Sequence, residues 1–300
     1  MKTEIVSFIA TDGMVNNGYI QSTETPIDKN KKIMISIHGM TSNCFKERDK
    51  TIGKMLLNID IDYFSFNNRG SEILRIAKKR NGQEVQSVLT GTAVEKPTDG
   101  IYDIEGAIEE VVKRGYRNIY LLGHSLGSTK VVYTMARFKM EKFKYLEYIR
   151  GIALLSLVDI PNFMKEGLKE KLSKKIEYAE KLIEKGDGMT FMPEDSFIFP
   201  ITAKAFLYYA RDNKEFDFAR YSDKEYEFNE LNMIEVPLFM RWGTDRELLI
   251  EKPEEIVERL NSKITNTRKD INFIEGANHS YNGMESVVGD QLIDFIKRNN

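Results

Sequence analysis

The alternation of short apolar runs with amphipathic segments is the feature that most constrains the fold of this 300-residue chain. Repeated strand–helix units predict an α/β protein whose mostly parallel sheet carries helices on both faces. Two strand-like runs joined by Thr11-Asp12-Gly13 open the chain and predict an antiparallel pair at one edge. Ligands of such sheets bind beyond the carboxyl ends of the strands, so polar residues there are the first candidates for chemistry.

Two stretches interrupt this alternation. Residues 71–99 are polar and irregular, and we expect them to form a long loop. Residues 159–231 start with an amphipathic helix that ends near Gly186 and continue with a dense series of Phe and Tyr. We therefore predict a core of residues 1–158 and 232–300, with residues 159–231 inserted as a helical lid over the sheet.

The segment Gly123-His124-Ser125-Leu126-Gly127 matches the pattern G-x-S-x-G between a predicted strand and a predicted helix. A serine in such a tight strand-to-helix turn projects its hydroxyl above the sheet, and Gly123 and Gly127 are needed because side chains there would collide. The pattern alone is weak, since it also fits a glycine-rich turn with a buried serine. Its flanking strand and helix favour Ser125 as a nucleophile.

A base for this serine is most simply a histidine, whose pKa lies near neutrality. The chain has three histidines. His124 is adjacent to Ser125, so its side chain must project elsewhere, and His38 lies at the end of a much earlier strand. His279 follows the last predicted strand, in a loop from which it could reach Ser125, and is our candidate base.

A third group, an acid, must orient the imidazole of that base. Asp245 follows the apolar run that ends at Trp242, and it lies between Ser125 and His279 in the chain, the order expected for this kind of turn. We predict Asp245 as the acid. Glu247 in the same loop and Asp159 after the preceding strand remain alternatives.

Backbone N–H groups are needed to stabilise the oxyanion of an acyl-transfer reaction. The N–H of Leu126 is one candidate, because it lies at the start of the helix after Ser125. The loop that begins at His38-Gly39 predicts a second donor, the N–H of Met40, with Gly39 allowing close approach of substrate. We expect His38 to support this loop by hydrogen bonding rather than to transfer protons.

The amino-acid composition limits which binding partners and cofactors are expected for this chain. Lys plus Arg number 44 and Asp plus Glu 46, so the net charge of −2 gives no reason to expect a nucleic acid. No signal peptide or membrane span is recognisable in the sequence. Because Cys44 is the single cysteine, an intrachain disulfide is ruled out, and we expect this residue to serve packing. A cytoplasmic setting is the simplest expectation. No organic cofactor or metal is expected, since the histidines are far apart in sequence.

Taken together, these segments make the chain resemble the α/β-hydrolase superfamily over nearly its whole length. The resemblance implies an eight-stranded, mostly parallel core with a lid inserted after the sixth strand. Ser125 speaks against the epoxide hydrolases and haloalkane dehalogenases of this superfamily, which use Asp there. The matching segments are His38-Gly39, Asn68-Arg69-Gly70, Gly123 to Gly127, Gly243-Thr244-Asp245 and Gly276-Ala277-Asn278-His279.

Within the superfamily, residues 38–43 and 66–70 are similar to the group that contains fungal siderophore esterases and many bacterial esterases. The chain departs from many of these relatives at Asn67-Asn68-Arg69, where they have Asp before the Arg, and in its long segment 71–99. Both departures leave the substrate open.

The predicted function is hydrolysis of a small-molecule carboxylic ester through an acyl-enzyme on Ser125. The aromatic lid favours an apolar or aromatic acyl or alcohol group. Thioesterase, lactonase or peptidase action on the same triad is not separated from esterase action by these residues. A non-enzymatic small-molecule receptor is the alternative of another class, which the complete triad disfavours, and no repeat or tail supports a purely structural protein.

Overall fold

A single mixed sheet of eight strands organises the molecule, in the order β1-β2-β4-β3-β7-β8-β9-β10. The computed structural model describes residues 1–211, 216, 218–249 and 251–299. Strands β1 and β2 pair antiparallel, as does β2 with β4, and all other neighbours are parallel, which confirms the predicted fold class. The strands are β1 (Lys2–Ile9), β2 (Val15–Ser22), β3 (Lys32–Ile37), β4 (Ile61–Asn67), β7 (Asn118–His124), β8 (Ile149–Leu155), β9 (Leu238–Gly243) and β10 (Lys269–Ile274).

Helices cover both faces of this sheet because each presents one apolar stripe to it. On one face, α2 (Gly100–Lys113), α3 (Leu126–Glu141) and α8 (Pro253–Lys263) pack on the inward side chains of the strands. On the other, α1 (Glu47–Leu57) packs beside α9 (Glu285–Arg298). Helix α8 had not been expected from the sequence.

Residues 71–99 do not form the long loop that we expected. They contain strands β5 (Arg75–Asn81) and β6 (Glu84–Thr90), an antiparallel hairpin whose two-residue turn begins at Gly82 with φ 61°. The hairpin is attached to the first turn of the chain, where the Arg80 N–H donates to the Gly13 carbonyl at 2.8 Å. A two-residue turn with glycine in a left-handed conformation matches the twist of paired strands.

The segment predicted as a lid is largely helical. It contains α4 (Ile160–Leu168), α5 (Leu172–Glu184), α6 (Ala203–Ala210) and the single turn α7 (Asn229–Asn232). The first three contribute to one apolar cluster that also includes Leu126 at the start of α3, so this segment packs where the nucleophile helix begins. Residues 212–215 and 217 of the predicted lid lie outside the described residues, and its boundaries stay a prediction.

The carboxyl ends of five parallel strands converge on one rim of the sheet. In the observed register, Ile37 pairs with Gly123, His124 with Leu155, Leu155 with Arg241, and Gly243 with Ile274. The residues that follow these strands therefore meet, although they are far apart in sequence. In the part of the chain that the structure describes, no helix is long and apolar enough to cross a membrane.

Candidate active site

Ser125 lies in the turn between β7 and α3, with φ 55° and ψ −126°. This backbone conformation is sparsely populated for a residue with a side chain, and it persists only where the surroundings enforce it. Here the Ser125 N–H donates to the Leu155 carbonyl at 2.9 Å, and its carbonyl accepts from the Ser128 N–H at 2.9 Å. The turn is thus fixed on both sides of the serine.

The two glycines of the motif are where backbone segments almost touch. A Cβ on Gly123 would lie 2.5 Å from the Cα of Ser128, and one on Gly127 would lie 2.1 Å from the carbonyl oxygen of Ile37. Real side chains do not tolerate such distances from backbone atoms. Only glycine lets α3 start so close to the ends of β3 and β7.

The loop after β3 approaches Ser125 from one side. A Cβ on Gly39 would lie 2.8 Å from the Cβ of Ser125 and 3.3 Å from its Oγ. Gly39, Met40 and Leu126 line the same cavity as Ser125. The predicted oxyanion donors are therefore residues of the serine's own cavity, and their role remains a proposal.

His38 holds this loop through both ring nitrogens. Its Nδ1 lies 2.9 Å from the Gly39 carbonyl oxygen, and its Nε2 lies 3.1 Å from the backbone N of Asn68. Because the Asn68 N–H can only donate, Nε2 accepts and Nδ1 donates, which fixes the neutral tautomer. Burial lowers the pKa of His38 to about 4 and so favours this neutral form. The Asn68 side-chain amide also donates to the His38 carbonyl at 3.0 Å.

The consequence for Met40 is geometric. The Gly39 carbonyl and the Met40 N–H belong to one planar peptide unit. When the His38 ring binds that carbonyl, it orients the peptide that carries the candidate oxyanion donor.

His279 approaches the cavity from the opposite side, in the loop after β10, and lines it together with Ser125. Its backbone carbonyl accepts a hydrogen bond from His124 Nε2 at 2.7 Å, and Ser156 Oγ lies 3.3 Å from the same carbonyl oxygen. The rings of His124 and His279 are 5.1 Å apart between centroids. The residue next to the serine thereby anchors the loop that carries the candidate base, and burial lowers the pKa of His124 well below its ordinary value.

The carboxylate against His279 is that of Glu247, so the prediction of Asp245 is corrected. Glu247 Oε1 is paired with His279 Nδ1, and its side chain is only 3% exposed. The Asp245 side chain is 49% exposed and pairs instead with Arg246 at 3.0 Å. The chain turns at Arg246, which has φ 48°, so these two carboxylates of one loop point in different directions. Asp159, the other alternative, caps the start of α4 by accepting from the Asn162 N–H at 3.2 Å.

Glu247 is fully supplied with donors. Its Oε1 accepts from the Leu248 N–H at 3.1 Å, and its Oε2 accepts from the Gly243 N–H at 3.1 Å and from Ser156 Oγ at 2.7 Å. Burial raises the pKa of this carboxyl, but the hydrogen bond and charge of His279, with those of Ser156 and Gly243, outweigh burial and lower it. Glu247 is therefore a carboxylate at neutral pH, oriented to hold the Nδ1–H tautomer of His279.

The cavity above Ser125 has a volume of about 350 Å³, within the range of small-molecule sites. Lys46 is the only Lys, Arg, Asp or Glu among the described residues that line it. Its apolar wall comes from the loop after β8, the predicted lid segment, helix α3 and the loop after β9. These apolar side chains are Leu126, Val158, Ile160, Phe163, Phe197, Ile198, Phe199 and Leu248.

Sequence reasoning missed the residues that hold the base loop and its acid. Ser156 donates its hydroxyl proton to Glu247, and its Oγ lies 3.3 Å from the His279 carbonyl oxygen and 3.0 Å from the Tyr281 hydroxyl, which donates to the Arg241 carbonyl at 2.8 Å. No motif marks Ser156 or Tyr281. Their position after β8 and β10, at the rim where ligands bind, is the only signal that could have found them. Among the described residues, no group of three or more His, Cys, Asp and Glu side chains has the arrangement of a metal site.

Solved structures share this architecture over the whole chain. Est1E from Butyrivibrio proteoclasticus, solved with ferulic acid bound, is 15% identical, with 97% of this chain and 98% of that chain covered and a TM-score of 0.64. The α/β hydrolase GrgF from a Penicillium species is 14% identical, with 100% and 99% covered and a TM-score of 0.65. The Pyrococcus furiosus esterase PF2001 is 17% identical, with 99% and 91% covered and a TM-score of 0.59. At these identities the likeness shows the α/β-hydrolase fold.

Sequence comparison gives the family. No curated protein matches the chain significantly. A family model described as a protein of unknown function (DUF1749) matches residues 99–298, which include Ser125, Glu247 and His279. The chain has the α/β-hydrolase fold and belongs to the DUF1749 family.

Proposed function

We propose that this protein is a serine hydrolase that cleaves carboxylic esters of small molecules through an acyl-enzyme on Ser125. One observation carries the proposal: a serine in the strained turn before α3 shares a cavity with a histidine whose Nδ1 is paired with a buried carboxylate. In the proposed triad Glu247 takes the place that we had predicted for Asp245. This arrangement meets the requirement for an activated nucleophile, in which the base is itself oriented by a third group.

In the first half of the reaction, Nε2 of His279 accepts the hydroxyl proton of Ser125 while Oγ attacks the ester carbonyl carbon. The tetrahedral oxyanion is stabilised by the N–H groups of Met40 and Leu126. Glu247 stabilises the imidazolium through Nδ1–H without taking the proton. His279 then gives its Nε2 proton to the departing alkoxide, and the alcohol is released. The acyl group is now joined to Ser125 as an ester, which is the acyl-enzyme.

In the second half, water replaces the alcohol. His279 removes one proton from the water as its oxygen attacks the acyl-enzyme carbonyl, and the same two N–H groups receive the oxyanion. Collapse of this intermediate expels Ser125 Oγ, which recovers its proton from His279. The carboxylic acid is released and the enzyme is regenerated, so no cofactor enters the scheme.

The substrate is expected to carry an apolar or aromatic acyl or alcohol group. This expectation follows from the apolar wall of the cavity, to which Phe163, Phe197 and Phe199 contribute aromatic rings. A volume of about 350 Å³ suits a small ester rather than a polymer. Est1E, which shares the fold, was solved with ferulic acid, an aromatic acid, and this agrees with the expectation.

The test is hydrolysis of p-nitrophenyl esters of graded acyl length by the purified protein and by Ser125→Ala. We expect the substitution to lower turnover by roughly 10⁴ to 10⁶-fold. A fluorophosphonate probe should label the wild-type protein at Ser125, as mapped by mass spectrometry, and leave the variant unlabelled.

Full turnover by Ser125→Ala would contradict the proposal. A wild-type protein that binds esters without hydrolysing them or reacting with the probe would favour the receptor alternative. Matched thioesters, lactones and peptides in the same assay separate esterase from thioesterase, lactonase and peptidase action.

A further inference from the structure

The residues that return from the β5–β6 hairpin to the core, residues 90–95, are buried except for Val94, which is partly buried. We call them the return segment. Their backbone is tied to the loop after β4, because Gly91 N–H donates to the Arg69 carbonyl at 2.9 Å and Thr92 N–H donates to the Glu72 carbonyl at 3.0 Å. A segment with these bonds has little freedom to move, so it can serve as a fixed support for its neighbours.

Thr92 extends this support to the loop that carries Met40. Its hydroxyl donates to the Gly70 carbonyl at 2.6 Å and accepts from the Thr41 N–H at 2.8 Å. The side chain is fully buried. Since the hydroxyl proton is directed at Gly70, an oxygen lone pair is left for the Thr41 N–H, and the hydroxyl bridges the two loops.

The bond fixes a backbone conformation that would otherwise be costly. Thr41 has φ 52°, in the left-handed region that β-branched residues rarely occupy. A residue in this conformation is strained and stays there only where its surroundings hold it. The Thr41 N–H belongs to the peptide that directly follows Met40, so the Thr92 hydroxyl restrains the chain on the carboxyl side of the candidate oxyanion donor.

We propose that Thr92 is a positioning residue that, through its bond to the Thr41 N–H, aims the Met40 N–H at the developing oxyanion. The proposal rests on the proposed function, in which Met40 supplies one of the two donors. His38 fixes the Gly39–Met40 peptide from one side and Thr92 fixes the next peptide from the other. Without the Thr92 hydroxyl, the Met40–Thr41 peptide loses the hydrogen bond made by its N–H.

The decisive variant is Thr92→Val, which keeps the shape of the side chain and removes its hydroxyl. Losing an oxyanion donor outright costs about 10² to 10³ in kcat, so a donor that is present but misaimed is expected to lower kcat about 10- to 100-fold. KM should change less than about twofold, because the oxyanion exists only in the transition state. Thr92→Ser, which restores the hydroxyl, should restore most of kcat.

Thr90→Val is the matched control. Thr90 lies in the same segment, is buried, and donates its hydroxyl to the Arg69 carbonyl at 2.6 Å, which also accepts from Gly91 N–H. Its loss removes one buried hydrogen bond without touching the Met40 loop. We expect Thr90→Val to be destabilised in urea unfolding, but less than Thr92→Val because it loses one hydrogen bond rather than two, while its kcat stays near the wild-type value.

Wild-type kcat in Thr92→Val, or an equal loss of kcat in Thr90→Val, would overturn the proposal. Should the valine variant not fold, Thr92→Ala removes the same hydroxyl without added branching, and the same comparison applies. These outcomes differ from failure of the proposed function, which would appear as absence of ester hydrolysis and of Ser125 labelling in the wild-type protein.

Discussion

The two loops that approach Ser125 are held in place by different kinds of interaction. The base side, with His279, is held by a charged group, the buried carboxylate of Glu247. The oxyanion side, with Met40, is held by neutral groups, the His38 ring and the Thr92 hydroxyl. In the proposed mechanism the base side responds to a change in charge during the reaction, whereas the oxyanion side only keeps its shape. We therefore expect substitutions on the two sides to lower kcat by different amounts and for different reasons.

Removing the charge on the base side is expected to give the largest effect. Glu247→Gln keeps the size of the side chain, but a neutral amide cannot stabilise the imidazolium, and its NH₂ group replaces an oxygen that accepts from either the Gly243 N–H or the Leu248 N–H. We expect kcat to fall roughly 10³- to 10⁴-fold, as for loss of a triad acid. Steady-state kinetics on a p-nitrophenyl ester measure this.

Asp245→Asn is the control for that experiment, since the Asp245 carboxylate is half exposed and pairs with Arg246. It should stay within about twofold of the wild-type kcat. A large loss in Asp245→Asn with little change in Glu247→Gln would restore Asp245 as the acid and contradict the assignment of Glu247.

Crowding the oxyanion side should have a smaller effect. In Gly39→Ala the new methyl group would lie 2.8 Å from Ser125 Cβ and 2.9 Å from the His124 carbonyl oxygen, neither of which can move aside easily. A misplacement of about 1 Å can cost on the order of 10² in rate, and we expect kcat to fall by about that factor. Gly167→Ala in α4 is the matched control, because a Cβ there meets nothing within 4 Å. Unchanged kcat in Gly39→Ala would show that the loop is less tightly packed on Ser125 than the structure indicates.

The smallest expected effect is a change of folding stability with pH, caused by the buried histidine on each side. Burial lowers the pKa of His38 to about 4 and that of His124 well below its ordinary value of 6.5, so the unfolded chain binds more protons than the folded one between these values. The contribution of these two histidines to the free energy of unfolding is therefore fully present above about pH 6.5. It falls as the pH decreases, by up to about 1.4 kcal/mol per pH unit for each histidine. Glu247, whose pKa is lowered from 4.5, loses its contribution only below that value.

Urea unfolding of the wild-type protein and of His38→Asn between pH 7 and pH 5 tests this. The variant should show a shallower loss of unfolding free energy, since one of the two buried histidines is gone. An identical slope in both proteins would mean that His38 is not held neutral by the fold.

The sequence predicted the parts of the site that depend on local backbone geometry. Ser125 lies in the turn that its glycines require, because those glycines reflect contacts that any side chain would block. The sequence led to Asp245 rather than Glu247, because Asp245 directly follows the strand. Both lie in one loop after β9, and the left-handed turn at Arg246 separates them only in three dimensions, where the buried carboxylate paired with His279 is that of Glu247.

The hairpin was missed for a different reason. Strand β5 buries only Ala77 fully, and β6 is exposed along most of its length, so neither shows the alternation of a half-buried strand. Gly82 was the available signal, because glycine at the first position is typical of a class of two-residue hairpin turns. Thr92 could not be found at all from the sequence, because its partner Thr41 is fifty-one positions away and no pattern links them.

The glycines at positions 39, 123, 127 and 243 have a practical consequence for anyone who wants to change what this protein accepts. At each of them a single methyl group would meet another atom of the chain at 2.0–2.8 Å, so randomised libraries at these positions should yield few active clones. The aromatic wall at Phe163, Phe197 and Phe199 belongs to another part of the chain and is only partly buried. Selectivity can therefore be engineered in the wall while the frame that performs the chemistry is left intact.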